Sequence, residues 1–109
     1  MDMTAEIVGS WAKLTHQRFL LRRAAGAFQK DPEPVLSSLQ QIVRLCALIG
    51  ARRLETVAAL ARKRLSLLHG EGSLDRRIVY ELVDAVDRAY AEALAHGVRG
   101  DPSLAERSS

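Results

Sequence analysis

The chain has 109 residues, enough for one domain with its own core and too few for two. Apolar residues make up 48% and charged residues 27%, a globular composition that excludes an extended disordered chain. The formal net charge is only +3, which excludes the strong basic excess typical of a dedicated nucleic-acid binder.

Membrane insertion and secretion are not expected from this sequence. The longest apolar run, residues 45–51, is far shorter than the roughly 20 residues of a membrane-spanning helix. The first residues are not a basic segment followed by an apolar run, as a secretion signal would be. The single cysteine, Cys46, cannot form an internal disulfide, which favours a reducing compartment. We therefore expect a cytoplasmic protein.

Residues 5–30 carry apolar side chains at three-, four- and seven-residue spacings, the pattern of a helix with one buried face. Thr4 can cap the first turn, and Glu6 follows where the helix dipole favours an acid. The two prolines in residues 31–34 predict the end of this helix. The predicted inward residues are Ile7, Trp11, Leu14, Leu21, Ala25 and Phe28.

A second helix is predicted to begin in the same segment, with Asp31 as its cap and Pro32 at its first position. Gly50 offers either a break in the helix or a close approach of another chain segment. The predicted inward residues are Val35, Leu39, Ile42, Cys46 and Ile49.

Two further helices follow. The third is predicted over residues 52–69 and is stopped by residues 70–72, while Ser73 caps the fourth. His96 and Gly97 fit the C-terminus of the fourth helix. The predicted inward residues are Leu54, Val57, Ala58, Ala61, Leu65 and Leu68 in the third helix, and Ile78, Leu82, Val86, Ala89, Tyr90 and Ala93 in the fourth.

Four amphipathic helices joined by short connections predict an all-α fold, an antiparallel up-down-up-down four-helix bundle. The bundle is expected to occupy residues 1–97. Residues 98–109 are polar and contain glycine, proline and serine, so they are expected to form a flexible C-terminal tail.

Motifs of conventional enzyme chemistry are missing from the sequence. His16, His69 and His96 lie far apart, without a cysteine or a second histidine at metal-ligand spacing. The glycines of residues 70–72 are not followed by the Lys-Ser/Thr pair of a phosphate-binding loop. We therefore predict no metal and no cofactor.

The fourth helix carries a series of acidic residues, whereas basic residues cluster in the first and third helices. Glu81, Asp84 and Asp87 recur every three residues in the fourth helix and are predicted to form a solvated acidic face. No aromatic side chains alternate with the basic residues for base stacking, which argues against nucleic acid and favours an acidic protein partner. The basic residues are Lys13, Arg18, Arg22, Arg23 and Lys30 in the first helix, and Arg52, Arg53, Arg62, Lys63 and Arg64 in the third.

Residues 39–54 resemble the core of histidine phosphotransfer (HPt) domains. In that family the second bundle helix carries an exposed, phospho-accepting histidine. An apolar residue follows two positions on, a Lys or Arg three on, a small residue four on, and a Gly-Ala pair ten and eleven on. Placing Gly50 and Ala51 on that pair puts Gln40 at the histidine position and Ile42 at the apolar one.

The chain departs from the family at its decisive positions. Gln40 replaces the histidine, Val43 the basic residue and Arg44 the small one. A glutamine amide has no nucleophilic nitrogen to accept a phosphoryl group, and without the cation the phosphoryl charge is less well neutralised. The resemblance covers about residues 10–96 and therefore implies a non-catalytic, pseudo-phosphotransfer protein.

The resemblance also implies a docking face for a response-regulator receiver domain or a histidine kinase. The apolar side chains beside Gln40 lie on a face that the bundle need not cover, and an exposed apolar patch suits protein docking. The alternative is that Leu36 and Val43 only widen the core stripe. The predicted docking residues are Leu36, Gln40, Val43, Arg44 and Ala47.

Other functions stay open at this point. An active phosphotransfer protein would use another histidine, and an unrelated helical adaptor or secretion chaperone would need none. Nucleic-acid binding ranks last. Leu60 and Leu67 lie outside the predicted seam of the third helix and mark either a homodimer contact or an edge of the core. The sequence does not name the partner, the direction of regulation or any phosphorylated histidine.

Overall fold

The computed structural model describes residues 3–28, 30–72 and 75–97. Each of its helices packs against the next one in the chain, and the last contacts the first, so that the four form a closed bundle. Within the described ranges, no helix combines the length and the apolarity needed to span a bilayer. The helices are α1 (Met3–Ala25), α2 (Glu33–Ile49), α3 (Arg52–Glu71) and α4 (Arg76–Gly97).

Neighbouring helices run antiparallel. Trp11, early in α1, contacts Tyr90, late in α4, whereas Arg22, late in α1, pairs with Asp84 in the middle of α4. The connections between α1, α2, α3 and α4 are short and reverse the chain each time. The prediction of an all-α, up-down-up-down four-helix bundle is confirmed.

The core is aliphatic, as the composition predicts. Leu14, Leu21 and Phe28 are almost fully buried, and the predicted inward residues of α2 and α3 are buried or half-buried. The other buried apolar residues are Ala25, Val35, Leu39, Ile42, Leu45, Cys46, Leu54, Ala58, Ala61, Leu65, Val79, Val83, Val86, Ala89 and Tyr90.

In the second half of α4 the predicted inward residues Val86, Ala89 and Tyr90 are buried and Ala93 is half-buried, but in the first half the buried face is rotated from the predicted one. Val79 and Val83 are almost fully buried, whereas Ile78 and Leu82, which the sequence pattern placed inside, are only half-buried. Both sets have helical spacing, so periodicity alone cannot separate them. Asp87 and Tyr90, which make polar contacts with α1, lie four and seven residues after Val83 and therefore on the same side of α4.

The first helix ends at Ala25 and not at Lys30. Gly26 follows, a poor helix former, and the N–H of Phe28 donates to the carbonyl of Ala25 in a tight turn. This turn directs Phe28 into the core. Thr4 lies inside α1, which begins at Met3, so the prediction that Thr4 caps the helix is wrong.

The second helix begins one residue later than predicted. Pro32 occupies the cap position and Glu33 is the first helical residue. Asp31 still supplies the capping acceptor, because its Oδ1 accepts the N–H of Glu33 at 3.3 Å. At the other end Gly50 breaks the helix with a left-handed φ of 78°, and its N–H donates to the carbonyl of Cys46. A Cβ at Gly50 would meet nothing within 4 Å, so the close-approach alternative does not apply.

The boundary between α3 and α4 is set by Gly72 and Asp75. Gly72 has a left-handed φ of 71° and ends α3, which continues through Gly70. Asp75 caps α4, because its Oδ1 accepts the N–H of Arg77 at 2.9 Å. Ser73, the predicted cap, lies outside the described residues, as do the predicted tail over 98–109 and the side chains of Glu6, Ile7 and His96.

The Cys46 thiol is expected to resist alkylation while the protein is folded. Burial, and secondarily the Glu55 carboxylate, raises the pKa of Cys46 from 9.0 to about 12. The reactive thiolate is therefore scarce, and we expect native Cys46 to react with iodoacetamide at least about a hundredfold more slowly than in denaturant. Equal rates in the two states would contradict this burial.

The same raised pKa predicts how stability depends on pH. The folded state favours the neutral thiol. The part of the unfolding free energy that comes from the neutral Cys46 thiol is therefore complete below pH 9 and is lost as the pH rises toward 12. The variant Cys46→Val lacks the titrating group and provides the baseline for this comparison.

Candidate functional site

Gln40 lies in the middle of α2, and its side chain is half-buried. It contributes to the wall of an open groove between α2 and α3 with a volume of about 880 Å³. The α2 wall consists of Glu33, Leu36, Ser37 and Gln40. We call this depression the Gln40 groove.

The α3 wall of the Gln40 groove contains two cations. Arg62 and Lys63 line it together with the small residues Ala59 and Ser66 and the apolar Leu67. Glu33 is the one acid among the lining residues. The groove thus combines apolar contact area with hydroxyl, amide and cationic groups, a lining that suits a polar or acidic protein segment.

The five predicted docking residues fall into two groups. Leu36, Gln40 and Val43 are half-buried, whereas Arg44 and Ala47 are exposed. Leu36 and Val43 also pack against the core while part of each side chain remains accessible. A charge at Val43 would therefore disturb the core as well as the surface, and the exposed pair is the better place for docking variants.

Two arginines of α1 pair with acids of α4. The Nε of Arg18 donates to Oδ1 of Asp87 at 2.8 Å, and Arg22 also pairs with Asp87 and, at 3.4 Å, with Asp84. The side chain of Asp87 is only 16% exposed. The prediction of a solvated acidic face is therefore wrong for Asp87, because α1 supplies its counter-ions.

Tyr90 completes this contact between α1 and α4. The Thr15 hydroxyl donates to the carbonyl of Trp11 at 2.9 Å, so the Tyr90 hydroxyl donates to Thr15. The guanidinium of Arg18 lies 4.8 Å from the centre of the Tyr90 ring, and Trp11 meets that ring edge-on. This cluster packs two helices together, and it holds the Arg18 guanidinium between Asp87 and the Tyr90 ring.

The basic residues of α3 form few ion pairs. Arg53 pairs with Glu92 of α4 at 3.4 Å. Arg62, Lys63 and Arg64 are exposed, and in the described part of the chain none of them makes an ion pair. Within the described residues, α3 therefore carries three consecutive exposed cations without an ion pair, and two of them, Arg62 and Lys63, line the Gln40 groove.

The described histidines do not converge on the groove. His16 is exposed on α1 and lines a separate depression with Gln41 of α2. His69 lies in the last turn of α3, and its ring meets Phe28 edge-on at 5.8 Å. No group of three or more His, Cys, Asp or Glu side chains within residues 8–28, 30–72 and 75–95 is arranged to hold a metal ion.

Sequence reasoning missed the α3 side of the site. The predicted docking residues do not include Ala59, Arg62, Lys63 and Ser66. The sequence shows consecutive basic residues at 62–64, but it does not place them beside Gln40. Their position beside Gln40 depends on the packing angle of α3 against α2, which no local pattern encodes.

Comparison of the chain with protein-family models, with curated proteins and with solved structures gave no match. The resemblance to HPt domains therefore stays a prediction that rests on the residues of this chain.

Proposed function

We propose that this protein is an HPt-like docking module that binds a receiver domain or a histidine kinase and does not itself carry a phosphoryl group. The observation that supports the proposal is the position of Gln40, midway along α2 and on the wall of a solvent-open groove. The resemblance assigns the phospho-accepting histidine to that position.

Binding without transfer follows from the chemistry of the amide. A receiver domain offers an acidic pocket, and the Gln40 amide can donate hydrogen bonds to carboxylates or phosphoryl oxygens. The amide nitrogen is resonance-stabilised and does not attack an acyl phosphate. The module would occupy the docking site of a competent phosphotransfer domain and so reduce phosphate flow through the relay.

Exposed positions of the docking face provide the test. We expect Arg44→Glu combined with Ala47→Glu to weaken binding to a cognate receiver domain at least about tenfold, because both changes place like charge against an acidic partner. Binding is measured by surface plasmon resonance against the receiver domains encoded by the same genome. Both residues are exposed, so the thermal midpoint is expected to change little.

The chain offers a matched control on α4. Arg88 and Ala91 are exposed and have the same three-residue spacing as Arg44 and Ala47. Arg88→Glu combined with Ala91→Glu changes the net charge equally and should leave binding unchanged. Equal loss in both double variants would attribute the effect to overall charge and contradict the assigned face.

Phosphotransfer itself is the second measurement. Incubation with a phosphorylated receiver domain should leave the wild-type protein unlabelled, since Gln40 accepts no phosphoryl group. Label that appears and is then lost in His16→Gln would instead support the active phosphotransfer alternative.

A further inference from the structure

The outer face of α3 carries two exposed leucines with cations between them. Leu60 is 61% exposed and Leu67 is 60% exposed, so neither forms an edge of the core. A spacing of seven residues places both on one side of the helix, and Lys63 and Arg64 lie between them on the same side. We call these four residues the α3 face.

We infer that the α3 face binds an acidic amphipathic helix of a partner protein, with leucines of the partner against Leu60 and Leu67 and carboxylates against Lys63 and Arg64. Leu60 and Leu67 provide two apolar anchors seven residues apart for a partner helix, and Lys63 and Arg64 lie between them. It shares Lys63 and Leu67 with the Gln40 groove, but Leu60 and Arg64 do not line that groove.

Charge determines the chemistry of the partner. Lys63 and Arg64 are exposed, and within the described ranges neither has an ionic partner in its own chain, whereas Arg18 and Arg22 of α1 pair with acids of α4. Covering Leu60 and Leu67 with a neutral or basic helix would bring two cations against a surface that cannot compensate them. An acidic helix neutralises them and buries the leucines in the same step.

A second copy of this chain is a poor occupant of the α3 face. A two-fold axis that places Leu60 against Leu67 of the other copy must pass between residues 63 and 64, because they are the midpoint. Lys63 of each copy would then face Arg64 of the other, and like charges oppose association. The apolar contact of two leucines is too small to offset that repulsion.

Nucleic acid is also a poor occupant of this surface. Phosphates would neutralise Lys63 and Arg64, but they would leave Leu60 and Leu67 in water and gain nothing from them. In addition, none of the exposed large apolar residues of α3 is aromatic, so the face provides no platform for base stacking.

Fluorescence anisotropy with a synthetic helix tests the inference. The probe is a labelled, helix-stabilised peptide with leucines seven residues apart and glutamates at the third and fourth positions between them. We expect salt-sensitive binding to the wild-type protein. Replacing the glutamates with lysines, or the leucines with serines, should weaken it at least about tenfold.

Variants on the protein locate the contact. Leu60→Ser and Arg64→Glu should each weaken peptide binding at least about fivefold. The matched controls are Leu48→Ser, on a leucine of α2 that is 73% exposed, and Arg88→Glu on α4. Both controls should leave peptide binding unchanged. Because Leu60 and Arg64 lie outside the Gln40 groove, loss of peptide binding in these variants with retained receiver binding separates the two proposals.

Four outcomes would overturn the inference. The first is no binding of the acidic peptide, and the second is equal binding of its lysine counterpart. The third is that the wild-type protein binds duplex DNA or anionic phospholipid vesicles but not the peptide, and that Arg64→Glu abolishes this binding. The fourth is self-association of the wild-type protein in sedimentation analysis that Leu60→Ser abolishes.

Discussion

Replacing Phe28 with alanine is expected to lower the free energy of unfolding by about 3–5 kcal/mol. The Phe28 side chain is 1% exposed and lies in the turn after α1, where its ring meets the imidazole of His69 at the end of α3. Truncation would leave a cavity where the first connection packs against the bundle. Urea denaturation followed by circular dichroism measures the loss.

The other phenylalanine of the chain is the control. Phe19 lies on α1 and is 60% exposed, so Phe19→Ala should change the unfolding free energy by less than about 0.5 kcal/mol. The two substitutions remove the same atoms, and their difference isolates burial. Similar losses for both variants would contradict the placement of Phe28 in the core. If Phe28→Ala does not fold, Phe28→Leu gives a measurable intermediate loss.

Removing the Asp87 carboxylate is expected to give the second large effect. Asp87→Ala should lower the unfolding free energy by about 1–2 kcal/mol, because Arg18 and Arg22 both lose their common partner while remaining close together. Solvent screening weakens these ion pairs and limits the loss, since the side chains of Arg18 and Arg22 are 40% and 57% exposed. Added salt should narrow the difference between wild type and variant.

Asp84 provides the comparison on the same helix. Its side chain is 56% exposed and makes one contact, at 3.4 Å, with Arg22. Asp84→Ala should therefore cost less than about 0.5 kcal/mol. If the two aspartates proved equally important, Asp87 would not be the centre of the contact between α1 and α4.

The candidate site was only half predictable from the sequence. Gln40 was identified because it lies ten residues before a Gly-Ala pair, and that spacing is a property of the chain alone. Arg62 and Lys63 became part of the site only when α3 packed beside α2. A residue on a neighbouring helix has no fixed sequence distance from Gln40, so no spacing rule finds it.

Leu36, which lines the groove, and Val43, which does not, show the same limit of the sequence pattern. The helical periodicity places both beside Gln40, but it left open whether the bundle covers them. Each packs partly against the core and remains partly accessible. The distance between α2 and α3 decides that division, and this distance is set by the side chains of both helices together.

The sequence by itself determined the class of fold, the number of helices and most of the buried residues of α1, α2 and α3. These features follow from periodicity, from the prolines after α1 and from glycines at helix ends, all of which act within a few residues. Their physical basis is local, so a single chain segment is enough to express it.

Only the tertiary structure decided which residues of the first half of α4 point inward and which cations form ion pairs. Val79 and Val83 are more deeply buried than Ile78 and Leu82, and Asp87 and Tyr90, at helical spacing from Val83, contact α1. The same contact pairs Arg18 and Arg22 of α1 with acids of α4, whereas Arg62, Lys63 and Arg64 of α3 make no ion pair among the described residues. Ion pairs between helices depend on the spatial arrangement of segments more than 60 residues apart, which composition and periodicity do not contain.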